Sequence, residues 1–77
     1  MEDDLNSGLF KAAAKGNTNT IALLIDRGAD VNAKDDGGMT ALMYAAKNGH
    51  TGSAATLIEH GADINAKYNN IYILLVA

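Results

Sequence analysis

Apolar side chains between positions 41 and 60 recur at the three- and four-residue spacing of amphipathic helices. The pattern predicts one helix over 41–48 and a second over 51–60. Thr40 precedes the first helix as an N-cap, because its hydroxyl can accept a backbone N–H of the first turn. Gly49 and Gly61 stand where the two helices end. Helices this short are marginal alone, so the pair must be stabilised by packing against a neighbour.

The same arrangement occurs 33 residues earlier, with predicted helices over 8–15 and 18–27. The segment 28–34, Gly-Ala-Asp-Val-Asn-Ala-Lys, returns as the segment 61–67, Gly-Ala-Asp-Ile-Asn-Ala-Lys. A fixed period between about 20 and 50 residues indicates a stack of repeated units, and it moves the search for function from a pocket to a surface. We expect Asn6 or Ser7 to cap the first helix.

Asp35-Asp36-Gly37-Gly38 ends the segment between the two helix pairs. Asp-Gly and Gly-Gly favour the turns that close β-hairpins, so we predict a hairpin-like finger that projects from the helices. The adjacent carboxylates could also be read as an acid–base pair. Nothing at a solvated turn is expected to shift their pKa values, so we interpret them as turn residues.

Composition and charge narrow the function classes. The net charge is −3 and the six basic residues are scattered along the sequence, which does not suggest the clustered Lys and Arg of a nucleic-acid-binding protein, so no nucleic-acid partner is expected. The chain has no cysteine and so no disulfide or thiolate metal site. Its acidic start does not resemble a secretory signal, and its longest apolar run, 71–77, is too short to cross a membrane. We expect an intracellular, cytoplasmic protein without a membrane partner.

No residue pattern predicts catalysis. His50 and His60 are the two histidines, and without cysteine a zinc site is not expected. We expect His50 to support the loop between two helices and His60 to lie in a last helical turn, where a cation is mildly favoured. We find no phosphate-cradling glycine motif and no nucleophile with a plausible base. The sequence therefore predicts no enzyme, no metal site and no cofactor.

Residues 36–50, Asp-Gly-Gly-Met-Thr-Ala-Leu-Met-Tyr-Ala-Ala-Lys-Asn-Gly-His, resemble an ankyrin repeat together with Leu57-Ile58 and the segment 61–66. The first copy matches from Leu9 through Ala33. The resemblance implies an all-α, ankyrin-type solenoid of short antiparallel helix pairs joined by hairpin-like loops. We expect one domain over 1–77, with repeat 1 at about 3–35, repeat 2 at about 36–68 and a partial repeat 3 at about 69–77.

The chain departs from the family pattern at identifiable positions. Thr40-Ala41-Leu42-Met43 stands where the family usually has Thr-Pro-Leu-His, so a preorganised first helical position and a hydrogen-bonding imidazole are both lost. The helix over 51–60 carries Gly52, and an internal glycine costs about 1 kcal/mol relative to alanine. We expect this helix to be the weaker of the two second helices.

The resemblance implies recognition of another protein, through a concave face formed by loop tips and first helices and without catalysis. Met43 and Tyr44 are interpreted as packing residues between repeats, whereas for Met39 and Tyr72 partner contact and packing are equally open. The family's variable contact positions fall on Lys15, Lys34, Asp36, Gly37, Met39, Lys47, Asn48, Lys67, Asn69, Asn70 and Tyr72.

Two alternatives concern the end of the chain. In the third copy, Tyr68 stands in the place of Asp35 and Ile73 in the place of Thr40, so the turn and cap residues are lost. The run from Ile71 to Val76 is left open between a degenerate helix, a strand and disorder. The chain is alternatively a fragment or end piece of a longer ankyrin array, or it self-associates through Ile71 to Ala77.

Overall fold

A computed structural model describes the backbone of residues 2–65, 67–68 and 71–72 and the side chains of residues 5–65. The first pair of helices is α1 (Glu2–Lys15) and α2 (Thr18–Asp26). The second pair is α3 (Ala41–Lys47) and α4 (Thr51–Glu59). The two predicted helix pairs are thus confirmed, each with its two helices joined by a short turn.

The two helix pairs stack in register. Helix α1 contacts α2 and α3, while α4 contacts α3 and α2. The first helices of the two pairs therefore lie side by side in one layer, and the second helices lie side by side in another. We call α1 and α3 the inner helices, and α2 and α4 the outer helices.

The core between the layers repeats with the chain. Leu9 and Leu42 are both buried, and so are Ala12 and Ala45, the residues one turn further along each inner helix. Small side chains let the helices approach closely. Gly8 lets α1 lie close to α2, since an added Cβ at this position would lie 3.3 Å from Leu24 Cδ1. The buried cluster comprises Leu9, Ala12, Ala13, Ile21, Ala29, Ala41, Leu42, Ala45, Ala54, Leu57 and Ala62.

Helix α1 begins earlier than the sequence pattern predicts. It begins at Glu2, not at Gly8, so Asn6 and Ser7 lie inside the helix and the prediction that one of them is its N-cap is wrong. No proline interrupts residues 2–7, and acidic residues in a first turn are favoured by the helix dipole, which explains the longer helix. Asn6 instead accepts a hydrogen bond from the backbone N–H of Asp30, at 2.8 Å.

The predicted cap of α3 is confirmed. Thr40 Oγ1 accepts a hydrogen bond from the N–H of Met43 at 3.3 Å, and Met43 Sδ accepts one from the N–H of Thr40 at 3.4 Å. Both residues are buried. The thioether thus plays the part that a glutamate or glutamine side chain has in a capping box. The glycines that follow the four helices adopt φ angles of 76°, 108°, 75° and 98° at Gly16, Gly28, Gly49 and Gly61.

Beyond α4 the structure describes a short antiparallel pair of strands. Strand β1 (Lys67–Tyr68) pairs with β2 (Ile71–Tyr72), with Lys67 opposite Tyr72. Of the alternatives stated for 71–76, Ile71 and Tyr72 thus adopt the strand. Residues 73–77, on which the self-association alternative depends, lie outside the described residues. Within the described part of the chain, no helix is long and apolar enough to cross a membrane.

Candidate functional site

The two repeats are joined at the C-terminal ends of the inner helices. Asn48 donates its side-chain amide N–H to the carbonyl of Ala14 at 2.9 Å, and His50 Nε2 lies 3.0 Å from the same oxygen. His50 therefore does more than support its own loop, because it reaches back to the first repeat. The ends of α1 and α3 are held next to each other by these contacts.

Gly16 makes room for this contact. Its φ of +76° is in the region that favours glycine, and an added Cβ would lie 2.7 Å from the ring of His50. Gly49, the equivalent residue of the second repeat, has nearly the same φ, but an added Cβ would meet nothing within 4 Å. The positive φ explains why glycine stands at both positions. At Gly16 the imidazole of His50 also leaves no room for a Cβ.

A second junction lies between the loops that follow the outer helices. Asn32 donates its amide N–H to the carbonyl of Gly61 at 3.1 Å and accepts a hydrogen bond from the N–H of Asp63 at 2.7 Å. One repeat earlier, Asn6 accepts from the N–H of Asp30, the counterpart of Asp63. Asn6 on the inner helix α1 thus holds the loop after α2 in the first repeat, as Asn32 holds the loop after α4 in the second.

The loop between α2 and α3, which we call the finger loop (residues 33–39), is closed by Asp35. Its Oδ1 accepts hydrogen bonds from the N–H groups of Gly37 and Met39, both at 2.9 Å. Its own N–H donates to the carbonyl of Met39, also at 2.9 Å. The hydroxyl of Tyr44 on α3 donates to Asp35 Oδ2 and ties the loop to the inner helix. This geometry is the hairpin-like finger that the turn residues predict.

The same contacts affect the titration of Asp35. The hydrogen bond from Tyr44 lowers the pKa of the Asp35 carboxyl below its ordinary value, and the N–H groups of Met39, Gly37 and Gly38 lower it further. Hydrogen bonds to the charged form of a carboxyl favour that form. The expectation that nothing at this turn shifts the pKa of an aspartate is wrong for Asp35.

An open groove of about 490 Å³ separates the finger loop from the N-terminal half of α1. Among the described side chains, Phe10 is the aromatic residue that lines it, and the ring centroid of Phe10 lies 5.9 Å from that of Tyr44, with the planes tilted by 50°. The tyrosine that holds Asp35 thus also packs on the ring beside the groove. The lining residues are Asn6, Ser7, Phe10, Ala33, Lys34, Asp35, Asp36 and Gly37. We call this the finger groove.

Comparison with known proteins identifies the repeat. A family model described as ankyrin repeats, in 3 copies, matches residues 2–68. The chain belongs to the ankyrin repeat family. Ankyrin repeats are protein-interaction modules and are typically non-catalytic.

Two plant proteins are similar in sequence to about half of this chain. A probable E3 ubiquitin-protein ligase of Oryza sativa subsp. japonica, XBOS33, is 52% identical over 40 residues, which are 52% of this chain and 8% of the ligase. The E3 ubiquitin-protein ligase XBAT33 of Arabidopsis thaliana is 54% identical over 39 residues, which are 51% of this chain and 8% of the ligase. The matches therefore cover only a small part of either ligase.

The structure brings some of the contact residues expected of an ankyrin repeat together. Lys34, Asp36 and Gly37 line the finger groove. Lys15 and Lys47 are exposed at the ends of α1 and α3. The amide of Asn48 is used in the bond to Ala14, and Met39 is half-buried with its N–H on Asp35. The side chains of Lys67, Asn69, Asn70 and Tyr72 lie outside the described residues.

Sequence reasoning missed the α1 side of the groove and the role of Asp35. The sequence pattern predicts Asn6 or Ser7 as the helix cap, which assigns this residue to the end of a helix and not to a binding surface. The available signal was Phe10, an aromatic residue outside the buried stripe of Leu9 and Ala13. No local pattern indicates that Asp35, and not Asp36, would hold the loop.

Proposed function

We propose that this ankyrin-repeat chain is a recognition module that binds another protein through its inner face, formed by the finger loop and the exposed sides of α1 and α3. The observation that carries the proposal is the finger groove, which opens between the loop and α1. Stacked repeats present extended surfaces of this kind to their partners. The concave-face binding implied by the family resemblance is part of this proposal.

The finger loop is preorganised for binding. Asp35 accepts hydrogen bonds from two backbone N–H groups of the loop and from Tyr44, so the loop conformation is set before a partner arrives. A loop that is already ordered loses less conformational entropy on binding, which favours affinity. Because both carboxylate oxygens of Asp35 have donors, we assign it to shaping the loop and not to contacting the partner.

The groove can hold one apolar side chain with polar groups around it. Phe10 is half-buried and offers an apolar surface, while Ser7, Lys34 and Asp36 are exposed around the groove. This combination is typical of a site that buries an anchor residue inside a polar rim. The proposed contact residues with described side chains are Ser7, Phe10, Lys15, Lys34, Asp36, Gly37, Met39, Lys47 and Asn48.

We assign no catalytic step to this chain, and ubiquitin-ligase activity stays with the relatives that carry that name. Ankyrin repeat proteins are usually intracellular, which supports a cytoplasmic location for this chain as part of the proposal. The alternative is that the chain works as one piece of a longer array. Asn65 stands at the position equivalent to Asn32, the residue that hydrogen-bonds to the following repeat, so the sequence pattern is compatible with a further repeat.

Selection of binding peptides tests the proposal. A displayed library of random peptides of about 12 residues is selected on the full chain, and the affinity of the enriched peptides is then measured. The inner-face variant combines Ser7→Gln and Gly37→Gln, which fill the groove without a charge change. An added Cβ at Gly37 meets only Asp35 Oδ1, at 3.5 Å, so the fold tolerates the substitution.

The control variant combines Asn19→Gln and Ala55→Gln, two exposed positions on the outer helices. We expect the inner-face variant to weaken peptide binding by about tenfold or more and the control by less than about twofold. Circular dichroism checks that both variants are folded. Peptides that respond to the outer-helix pair instead, or a selection that enriches nothing, would overturn the proposal.

A further inference from the structure

Lysines are segregated on this acidic chain. The net charge is −3, yet the four lysines with described side chains are all exposed and all lie on the inner helices or the finger loop. The single arginine, Arg27, follows the outer helix α2. The four lysines are Lys11, Lys15, Lys34 and Lys47.

Three of these lysines form a continuous basic strip. Ser7, Lys11 and Lys15 are spaced four residues apart on α1, so they lie along one face of the helix. Ser7 lines the finger groove, which shows that this face points to the inner side. The bond of 2.9 Å from Asn48 to the carbonyl of Ala14 places the end of α3, and with it Lys47, beside the end of α1. We call Lys11, Lys15 and Lys47 the basic strip.

Most carboxylates of the described residues are placed elsewhere or are hydrogen-bonded, and the exception is Asp36, which is exposed at the finger groove. Asp30 and Asp63 each accept the backbone N–H two residues further on, at 2.9 Å, within their own loops. Asp26 and Glu59 end the outer helices α2 and α4. Within residues 5–65, none of the lysines forms an ion pair. Among the described side chains, the basic strip is therefore not paired with a carboxylate.

A structural explanation covers only part of the strip. Lys15 and Lys47 lie in last turns, where the helix dipole favours a cation, but Lys11 does not. The helix dipole therefore does not account for Lys11.

We propose that the inner face binds an acidic segment of its partner protein, with the acidic residues over Lys11, Lys15 and Lys47 and one apolar side chain in the finger groove against Phe10. The inference rests on the proposed function and names the chemistry of the partner. Opposite charges attract across an interface and set its register. Asp35 and Asp36 make the groove itself slightly acidic. The acidic residues of the partner therefore lie on one side of its apolar anchor, over the lysines.

The composition of peptides selected on the full chain tests this chemistry. We expect enriched peptides to carry acidic residues clustered on one side of an aromatic or leucine residue. Lys11→Gln combined with Lys15→Gln should weaken their binding about fivefold. Arg27→Gln combined with Asn19→Asp makes the same change in net charge on the outer side, and should weaken it less than about twofold.

Two results overturn the inference. One is enrichment of neutral or basic peptides, and the other is an equal response to the lysine pair and to its control. Neutral or basic peptides that still lose affinity when Ser7 and Gly37 are changed to glutamine would show that the inner face binds by other chemistry. In that case only the inference of an acidic partner is wrong, and the proposed function stands. Loss of affinity with rising salt in the wild type, and much less in the lysine variant, is the supporting outcome.

Discussion

The two outer helices occupy the same place in successive repeats, but they are secured in different ways. Helix α2 has a side-chain cap, because Asn17 Oδ1 accepts a hydrogen bond from the N–H of Thr20 at 3.2 Å. The equivalent residue before α4 is His50, which makes no such bond and reaches the carbonyl of Ala14 instead. The first outer helix is stabilised locally, whereas the second depends on its contact with the preceding repeat.

The two outer helices also differ in how their side chains pack. Helix α2 buries Ile21, where α4 has the smaller Ala54. Leu57 of α4 is completely buried, but its equivalent Leu24 is only half-buried. Helix α4 thus concentrates its burial in one large side chain. The sequence-based expectation that α4 is the weaker helix stays a prediction, and paired substitutions at equivalent positions can test it.

The largest difference is expected at the paired leucines. Leu57→Ala should lower the free energy of unfolding by about 3 kcal/mol, since a fully buried leucine leaves a cavity when it is truncated. Leu24→Ala should cost about 1–2 kcal/mol, because part of that side chain already contacts water. Urea denaturation of both variants measures the two costs. Equal costs would show that α4 does not depend on its single large anchor.

The paired glycines should differ by a smaller amount. Gly49→Ala is expected to cost about 1–2 kcal/mol, the strain of an alanine in the left-handed region. Gly16→Ala should cost about 1 kcal/mol more, because the new Cβ displaces His50 from its bond to Ala14. The extra cost should disappear in a His50→Ala background. If it persists there, the imidazole is not its cause.

Replacing either of two helical glycines with alanine should stabilise the protein. An added Cβ at Gly52 of α4 meets nothing within 4 Å, so Gly52→Ala should stabilise the protein by about 0.5–1 kcal/mol through helix propensity. At Gly8 of α1 the added Cβ would crowd Leu24, and the gain should be smaller. Thermal melting compares the two variants. A larger gain at Gly8 would mean that Leu24 moves aside without cost.

The smallest expected effect is a pH dependence carried by Asp35 of the finger loop, whose equivalent in the third copy is Tyr68. The folded pKa of Asp35 is lowered, so its contribution to stability is present above the ordinary aspartate pKa of about 3.9 and is lost as the pH falls through the lower folded value. Melting temperatures from pH 6 downward should therefore fall more steeply for the wild type than for Asp35→Asn. Parallel curves would show that the carboxylate does not hold the loop.

The placement of the groove shows where sequence reasoning reaches its limit. The turn residues predict a finger loop, and the family pattern predicts that Lys34, Asp36 and Gly37 belong to the contact surface. The opposite wall was not predicted, because the start of α1 is set by weak preferences spread over residues 2–7. A helix boundary depends on small local free energies, whereas the buried stripe behind it depends on large ones.

The sequence by itself determined the period of 33 residues, the two helix pairs, the Thr40 cap and the glycines that end the helices. The period follows from direct comparison of the two copies. The cap and the helix ends depend on the conformational preferences and hydrogen bonds of residues within about one helical turn of each other. Only the tertiary structure decided what Asn6, Asn48 and His50 do. Their hydrogen bonds join residues that are 24, 34 and 36 positions apart, and the same polar side chains could otherwise have served as local caps. Stacking of the repeats brings the distant backbone groups within reach, and this proximity determines which hydrogen bonds form.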